Sequence, residues 1–183
     1  MRRDAIRPSL RQFAELAGVT VPTLRHYFGG RSEVVSAILE EYRRQGETRL
    51  QAVAMAPISL ADSVRDYACK LIEALQAPRQ VRLGDVFGVS LAEGLLDAEI
   101  GQATLRYILD PSIDVLQRRL DAHVGRGEMV ACDTRAAALI LLSPLLLAAL
   151  HQDQMGGREC SPVDLGRLGE VICAAFLRAY AVR

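Results

Sequence analysis

Residues that begin and end helices alternate along this sequence and separate runs with helical spacing. In the last such run, Leu165, Leu168 and Ile172 recur at steps of three and four, which places them on one face of a helix. Alternation with a period of two is absent, and neither Asn-Gly nor Asp-Gly occurs, so nothing indicates a β-hairpin. We therefore predict an all-α protein.

The first helical signals describe two short helices joined by a glycine. Ser9 and Gln12 form a capping-box pattern at the start of the first helix. Gly18 ends that helix, because glycine readily adopts the left-handed conformation. Thr20 caps the second helix, and the missing N–H of Pro22 costs nothing in its first turn. With a longer amphipathic helix behind a Gly-Gly pair, this order is typical of a helix-turn-helix.

Charge is unevenly distributed, although the chain as a whole has a net charge of zero. Residues 1–31 contain six arginines and two acidic residues, which is a net charge of +4, so the remainder carries −4. A basic N-terminal module on an acidic body suits a DNA-binding head. An unevenly charged, solvated surface explains the same distribution equally well.

The segment from Ser9 to Val35 resembles the helix-turn-helix of the tetracycline-repressor (TetR/AcrR) family of bacterial regulators. The matching residues are Ala17, Gly18, Val19, Thr20, Thr23, Leu24, Tyr27, Phe28 and Arg31. A weaker similarity lies at 126–128, and the specific similarity covers about 30 of the 183 residues. The resemblance implies a ligand-responsive transcriptional regulator, in most cases a repressor, that binds a palindromic DNA operator as a dimer. It also implies a helix-turn-helix head followed by a helical ligand-binding and dimerisation domain.

The resemblance places the second short helix in the major groove of DNA. The residues expected to meet DNA are Thr20, Val21, Pro22, Thr23, Arg25, His26, Tyr27 and Arg31. Thr23, Arg25 and Arg31 are expected to contact phosphate groups; the alternative is an ordinary helix position for the threonine and solvated surface for the arginines. A cation at the start of a helix opposes the helix dipole, which favours an outside role for Arg31.

The apolar residues of this helix leave more than one interpretation open. Val21 and Pro22 suit contacts with thymine methyl groups, or simple exposure. Tyr27 suits a DNA contact and a core position equally. The residues predicted to be core are Val19, Leu24 and Phe28.

Two features depart from the family pattern. Arg25 and Tyr27 stand where the family usually has tyrosine and histidine, and both can still contact phosphate. Only eight residues, including Pro8, precede Ser9, so the first helix of the head is expected to be short or missing. The alternative function is therefore a helical, dimeric small-molecule or protein-binding module that has lost DNA binding.

We place the DNA-binding domain at 1–45 and the ligand-binding and dimerisation domain at 46–183. Pro57 and Pro78 are predicted to end helices, and Asp110-Pro111 is predicted to begin one. These signals divide the second domain into successive helices.

An apolar run at Ala136–Leu150 is predicted to be a buried helix. It is shorter than the ~20 residues that a membrane span needs, and it contains Pro144. Its alanines suit close packing against a partner subunit. We predict a homodimer built mainly from the last two helices, at about 134–154 and 161–182.

Helices at about 59–77, 80–96 and 98–124 are expected to surround a cavity for an apolar or amphipathic effector. They are rich in Leu, Val and Ile and offer few groups that could pair with a buried charge. Arg82 and Arg106 nevertheless allow a carboxylate on the ligand. The candidate ligand-binding residues are Tyr67, Phe87, Leu91 and Tyr107; core packing is the alternative for the aromatic ones.

No catalytic, cofactor or metal site is predicted. His123 and His151 lack companions at metal-ligand spacing, and neither a nucleophile-and-base pattern nor a phosphate-binding glycine loop occurs. The four cysteines show no C-x-x-C spacing, which favours reduced structural thiols. We expect a cytoplasmic protein that is neither an enzyme nor a membrane protein.

Overall fold

The computed structural model describes residues 8–52, 58–76 and 82–182 of the chain. Within these ranges the regular secondary structure is helical, apart from a single bridged pair of residues. The helices are α1 (Leu10–Ala17), α2 (Val21–Phe28), α3 (Arg31–Ala52), α4 (Leu60–Gln76), α5 (Leu83–Gly94), α6 (Ala98–Thr104), α7 (Asp110–Gly125), α8 (Thr134–Asp153), α9 (Gly157–Cys160) and α10 (Leu165–Tyr180). The all-α prediction is confirmed. Pro57 and Pro78, predicted to end helices, lie outside the described residues.

Side-chain caps define several of the helix starts. Ser9 and Gln12 form the predicted capping box: the Gln12 N–H donates to Ser9 Oγ over 3.3 Å, and the Ser9 N–H donates to Gln12 Oε1 over 2.7 Å. Asp133 and Asp164 each accept an N–H from the first turn of α8 and α10, both over 3.0 Å. Each cap satisfies a backbone donor that has no partner within its helix.

The segment from α6 to α7 is continuous and contains a π-helical turn at Leu105–Leu109. The N–H of Asp110 donates to the carbonyl of Leu105, five residues earlier. In a regular α-helix the ring of Pro111 would clash with the carbonyl of Tyr107, and the wider turn relieves that clash. The predicted helix start at Asp110-Pro111 is therefore a π-helical turn inside a longer helical segment.

The chain forms two compact units, the first of which runs to Glu47 and resumes over Phe87–Asp110. Its core contains Ala14, Leu24 and Val34, against which Leu10, Phe13 and Val21 pack. These residues come from α1, α2 and α3, so the two short helices are held to the long one through apolar contacts. The domain boundary at 45/46 stays a prediction.

The second compact unit contains Thr48–Val86 and Pro111–Arg183. In it α4, α8 and α10 pack against one another. Gly169 of α10 allows close approach to α4, because a Cβ there would lie only 2.9 Å from Ile72 Cδ1. The apolar residues that α8 buries are Ala137, Ala138, Leu141, Leu142, Leu145 and Ala149.

The segment that follows α7 pairs with the end of α10. The N–H of Val130 donates to the carbonyl of Tyr180 over 2.9 Å, and the N–H of Val182 donates to the carbonyl of Glu128 over 3.1 Å. These two bonds hold the end of the described chain in the second unit.

A polar cluster, which we call the His123 cluster (His123, Arg126 and Glu128), lies beside this pairing. His123 is buried, and its Nδ1 lies 2.6 Å from Glu128 Oε2 and 2.7 Å from Arg126 Nη2. Arg126 Nη2 also donates to the carbonyl of Ile58 over 3.4 Å. Hydrogen bonds from Arg126 and then from His123 lower the pKa of Glu128 to about 2. The cluster is a structural tie between the end of α7 and the residues just before α4.

Among the described residues, α8 is the one helix long and apolar enough to cross a membrane by length and composition. Of its most apolar stretch, 44% is buried inside the protein. The buried side belongs to the core of the second unit, while Leu139, Ile140 and Leu147 remain exposed on the other side. This helix thus has a core face and an exposed apolar face.

Candidate nucleic-acid interface

The corner between α1 and α2 is built on Gly18, whose φ is 67°. No heavy atom would lie within 4 Å of a Cβ at this position, so the need for glycine is conformational and not a matter of space. The Gly18 N–H donates to the carbonyl of Glu15 over 3.2 Å, and the Val19 N–H donates to the carbonyl of Ala14 over 3.0 Å. These bonds end α1 and set the direction in which α2 begins.

α2 begins at the predicted threonine cap. The N–H of Thr23 donates to Thr20 Oγ1 over 3.3 Å, and the two threonine hydroxyls lie 2.8 Å apart. Pro22 occupies the first turn, where its missing N–H leaves no hydrogen bond unmade. Leu24, which is 5% exposed, anchors α2 in the core of the first unit.

The side of α2 away from that core carries most of the residues predicted to meet DNA. Thr20, Pro22, Arg25, His26 and Tyr27 are exposed. Tyr27 is 75% exposed, which excludes the core alternative for this side chain in the free protein. The face therefore combines a guanidinium, an imidazole, a phenol and a hydroxyl, all of which can donate hydrogen bonds to phosphate oxygens or base edges.

Two of the predicted DNA contacts are only half-exposed. Val21 packs against the core cluster of the first unit. Thr23 is also half-buried, and its hydroxyl is shared with Thr20. Both lie in the first turn of α2, so they stand at the edge of the exposed face and not at its centre.

The prediction that Val19, Leu24 and Phe28 are all core is correct only for Leu24. Val19 is 42% exposed and Phe28 is 45% exposed. Val19 lies in the turn just after Gly18, and Phe28 is the last residue of α2. Val19 precedes the helix, and Phe28, although it lies one turn after Leu24, is not part of the core cluster that buries Leu24.

Arg31 is placed differently from the other predicted DNA contacts. Its Nη2 lies 2.5 Å from Glu93 Oε2, and its Nε donates to the carbonyl of Pro8 over 2.7 Å. The side chain of Arg31 is 20% exposed and that of Glu93 only 3%. The guanidinium thus forms a largely buried ion pair at the first residue of α3.

Sequence analysis did not single out Glu93 or its neighbour Asp97. Ser32 Oγ donates to Asp97 Oδ2 over 3.0 Å, next to the Arg31–Glu93 pair. The available signal was a carboxylate among apolar residues near the end of α5, between Leu91 and Leu95, because an acidic residue in such a run is buried only when it is paired. The partner lies 62 positions away in the sequence, so local spacing does not connect the two residues.

The four candidate ligand-binding residues divide between the two units. Phe87, Leu91 and Tyr107 belong to the first unit, where Phe87 is buried and the other two are half-buried. Tyr67 belongs to the second unit and is buried; this burial raises the pKa of its phenol, an effect that Arg119 partly opposes. All four remain candidates.

Arg119 is a buried cation that the sequence analysis missed. Its side chain is 4% exposed, and its Nη1 and Nη2 each lie 3.4 Å from Asp66 Oδ2. Its Nη1 also lies 3.5 Å from the carbonyl of Ser63. Burial lowers the pKa of Arg119, while the Asp66 carboxylate acts in the opposite direction. This pair joins α7 to α4 beside Tyr67.

In the parts of the chain that the structure describes, no group of three or more His, Cys, Asp or Glu residues could hold a metal ion. The four cysteines are free thiols. Cys173 is buried, whereas Cys69, Cys132 and Cys160 are exposed. Only Cys173 therefore has the buried position expected of a structural thiol.

Comparison with known proteins gives matches in structure only. No protein-family model and no curated protein matches the sequence. SmeT, the repressor of the Stenotrophomonas maltophilia multidrug efflux pump SmeDEF, superposes with a TM-score of 0.64 at 21% identity, over 99% of this chain and 84% of SmeT. SmeT also matches in its complex with triclosan, with a TM-score of 0.64 at 22% identity over 99% of this chain and 85% of that one.

Two further solved structures extend the comparison. The reduced form of NemR from Escherichia coli gives a TM-score of 0.70 at 17% identity, over 96% of this chain and 88% of NemR. A TetR transcriptional regulator from Agrobacterium tumefaciens gives a TM-score of 0.65 at 19% identity, over 96% of this chain and 84% of that one. At these identities the likeness concerns the fold alone: this chain has the all-helical TetR/AcrR-type fold of these solved structures.

Proposed function

We propose that this chain is a ligand-responsive transcriptional repressor that binds a palindromic DNA operator as a homodimer. The observation that carries the proposal is the exposed face of α2, where Arg25, His26 and Tyr27 are exposed to solvent while Leu24 fixes the helix to its core. A short helix held rigidly from behind, with polar side chains in front, is what reading a major groove requires. The TetR-type fold supports the same function.

The exposed residues suit different parts of a DNA duplex. Arg25 and Tyr27 suit phosphate oxygens, by charge and through the phenol hydroxyl. Thr20 and Thr23 lie at the N-terminus of α2, where the helix dipole favours an anionic group. Pro22 suits contact with a thymine methyl group. Arg31 differs from these residues, since its guanidinium is paired within the protein.

A homodimer would bring two such faces to a palindrome. We place its interface on the free faces of α8 and α10, in the second unit. Ile140 and Leu147 of α8 are 53% and 65% exposed, and Val171 of α10 is 58% exposed. Exposed Ala174 and Ala175 beside Val171 would allow two helices to approach closely. Apolar side chains this exposed on two adjoining helices favour a partner subunit as their cover.

The effector in this proposal is an apolar or amphipathic small molecule, with Phe87, Leu91 and Tyr107 of the first unit and Tyr67 of the second unit as separate candidate contacts. The structure of SmeT with triclosan supports small-molecule binding on this fold. Such an effector would act through its different affinities for DNA-bound and released conformations. We further propose that the protein works in the cytoplasm, has no catalytic activity and uses no cofactor.

The test is DNA binding by the full chain. Duplexes are selected from a random library, and the affinity of the enriched sequence is measured by fluorescence anisotropy for the wild type, for Arg25→Ala and for Arg118→Ala. Arg118 is the control, because it is an exposed arginine on α7. We expect an enriched palindrome, weaker binding by the Arg25 variant and unchanged binding by the Arg118 variant.

Failure to enrich any sequence, together with equal weak binding by all three proteins, would contradict the repressor function. That result would favour the alternative of a helical dimeric module that binds a small molecule or protein without DNA. Light scattering and a thermal-shift screen on the same preparation would then test the dimer and the ligand site separately.

A further inference from the structure

The first residue of α3 is held by two protein groups. Arg31 Nη2 pairs with Glu93 Oε2 over 2.5 Å, and Arg31 Nε donates to the Pro8 carbonyl over 2.7 Å. Glu93 lies in the last turn of α5, and its carboxylate is buried. The cation that opposes the dipole of α3 is thus neutralised by an anion from another helix.

The second residue of α3, Ser32, also connects the start of α3 to the region where α5 ends and α6 begins. Ser32 Oγ donates to Asp97 Oδ2 over 3.0 Å, and the same aspartate caps α6 by accepting the N–H groups of Glu99 and Ile100. Two consecutive residues at the start of α3 therefore hold the end of α5 and the start of α6. All of these residues belong to the first compact unit.

The link from this pair back to α2 is short. Only Gly29 and Gly30 separate the end of α2 from Arg31. The Gly30 N–H donates to Glu33 Oε2 over 3.0 Å, and a Cβ at Gly30 would lie 2.8 Å from that oxygen. Gly29 has a φ of 90°, a conformation that other residues rarely adopt. Val34 of α3 also packs in the same apolar core as Leu24 of α2, so the position of the start of α3 is coupled to that of α2.

Arg31 Nη1, which has no hydrogen-bond partner among the described residues, is buried, so a phosphate contact would require the guanidinium to move out and leave Glu93. That would leave a carboxylate with 3% exposure unpaired in the protein interior, which is among the costliest changes that a folded protein can undergo. A phosphate contact at the protein surface is screened by salt and stabilises the complex by much less than this cost. The balance of these two effects keeps Arg31 on Glu93 when DNA binds.

We infer that Arg31 is a positioning residue for the DNA-reading helix: it orients α2 through its pair with Glu93 and makes no phosphate contact. This inference rests on the proposed DNA-binding function. It separates Arg31 from Arg25, whose side chain is exposed on the face of α2 itself.

The salt dependence of DNA binding distinguishes the two roles. A lost phosphate contact lowers the slope of log K against log salt by about 0.9, whereas a misplaced helix lowers the affinity without removing a counterion-releasing contact. With the enriched duplex and salt titrations by fluorescence anisotropy, we expect Arg31→Ala to lose affinity by about tenfold with an unchanged slope. Arg25→Ala should lower the slope by about one contact.

The decisive variant is Glu93→Gln. It removes a buried negative charge of the protein, which would by itself favour binding to the negatively charged DNA. If Arg31 contacted phosphate, freeing it from Glu93 would keep or raise the affinity; as a positioning pair, Glu93→Gln should lower it. The double variant Arg31→Ala/Glu93→Gln should bind no more weakly than Arg31→Ala alone, since both remove the same interaction. Ser32→Ala, which keeps the ion pair, should show a smaller loss of affinity, also with an unchanged slope.

Two results would overturn the inference while leaving the proposed function standing. One is a slope lowered by about one contact in Arg31→Ala, and the other is unchanged or tighter binding by Glu93→Gln. Thermal unfolding of each variant shows whether it is folded. If Arg31→Ala is not folded, the affinities and slopes of Glu93→Gln and Ser32→Ala decide whether Arg31 is a positioning residue. A wild type that binds no duplex would overturn the proposed function and this inference with it.

Discussion

Gly94 and Gly101 lie against each other where α5 meets α6, so that a Cβ on Gly94 would stand 2.8 Å from the Cα of Gly101. A Cβ on Gly101 would in turn stand 3.0 Å from the carbonyl oxygen of Gly94. Both obstacles are backbone atoms, which cannot rotate away as a side chain can. Gly94 directly follows Glu93, and the Gly101 N–H donates to the carbonyl of Asp97 over 2.9 Å, so the close approach joins the two segments that carry these carboxylates.

We expect Gly94→Ala to destabilise the protein by about 1–3 kcal/mol, because the added methyl group forces two helix backbones apart. Urea unfolding followed by circular dichroism measures the change. Gly125→Ala is the matched control, since nothing lies within 4 Å of a Cβ there, and it should leave the free energy of unfolding within about 0.5 kcal/mol of the wild type. Equal stability of the two variants would contradict the close approach.

Arg25→Ala should weaken binding to different DNA sequences by similar factors, because a phosphate contact carries no direct sequence information. The slope of log K against log salt should fall by about 0.9. Anisotropy titrations on the enriched duplex and on an unrelated duplex of equal length measure both effects. A loss confined to the enriched duplex would instead assign Arg25 to a base edge.

Leu147→Glu should convert the dimer into a monomer that remains folded. Leu147 is 65% exposed, so a carboxylate there is solvated in the monomer but would be buried in an interface of at least ~1,000 Å². Multi-angle light scattering at micromolar concentration gives the mass, and circular dichroism gives the helix content. Leu95→Glu, at a leucine with 78% exposure in the first unit, should leave the mass unchanged. A monomeric wild type would rule the dimer out.

The His123 cluster should make stability depend on acidity through Glu128. The pKa of Glu128 is about 2 in the folded protein, below its ordinary value of 4.5. A depressed pKa contributes stability that is present above about pH 4.5 and lost as the pH falls toward 2. Urea midpoints of the wild type and Glu128→Gln should therefore differ at pH 6, and the difference should shrink at pH 3.5. If the difference in urea midpoint stayed constant with pH, the effect of Glu128→Gln would come from packing alone.

The effector prediction is tested with matched sets of apolar and strongly polar compounds. We expect apolar or amphipathic compounds to raise the melting temperature, because binding to the folded state stabilises it, and the active ones to release DNA. Leu91→Ala, at a half-buried candidate contact, should reduce the shift for those compounds. Stabilisation and DNA release by multiply charged compounds alone would show that the predicted ligand class is wrong.

The sequence alone determined the helices and the helix-turn-helix corner, because their signals are local. Ser9 with Gln12, Gly18, and Thr20 each act on backbone groups within a few residues, so the spacing in the sequence is already the spacing in space. The alternation of helix starts and stops predicted the all-α class for the same reason. The exposed position of Arg25 followed from the helical spacing that buries Leu24.

Only the tertiary structure decided the position of Arg31. Local sequence placed it at the start of α3 with an outward role, whereas its charge is taken up by Glu93, 62 positions away. The same holds for Arg119 with Asp66, 53 positions apart. A buried charge is stable only where a partner of opposite sign meets it, and which residues meet depends on how the helices pack. Sequence spacing identified the charged residues, and packing chose their partners.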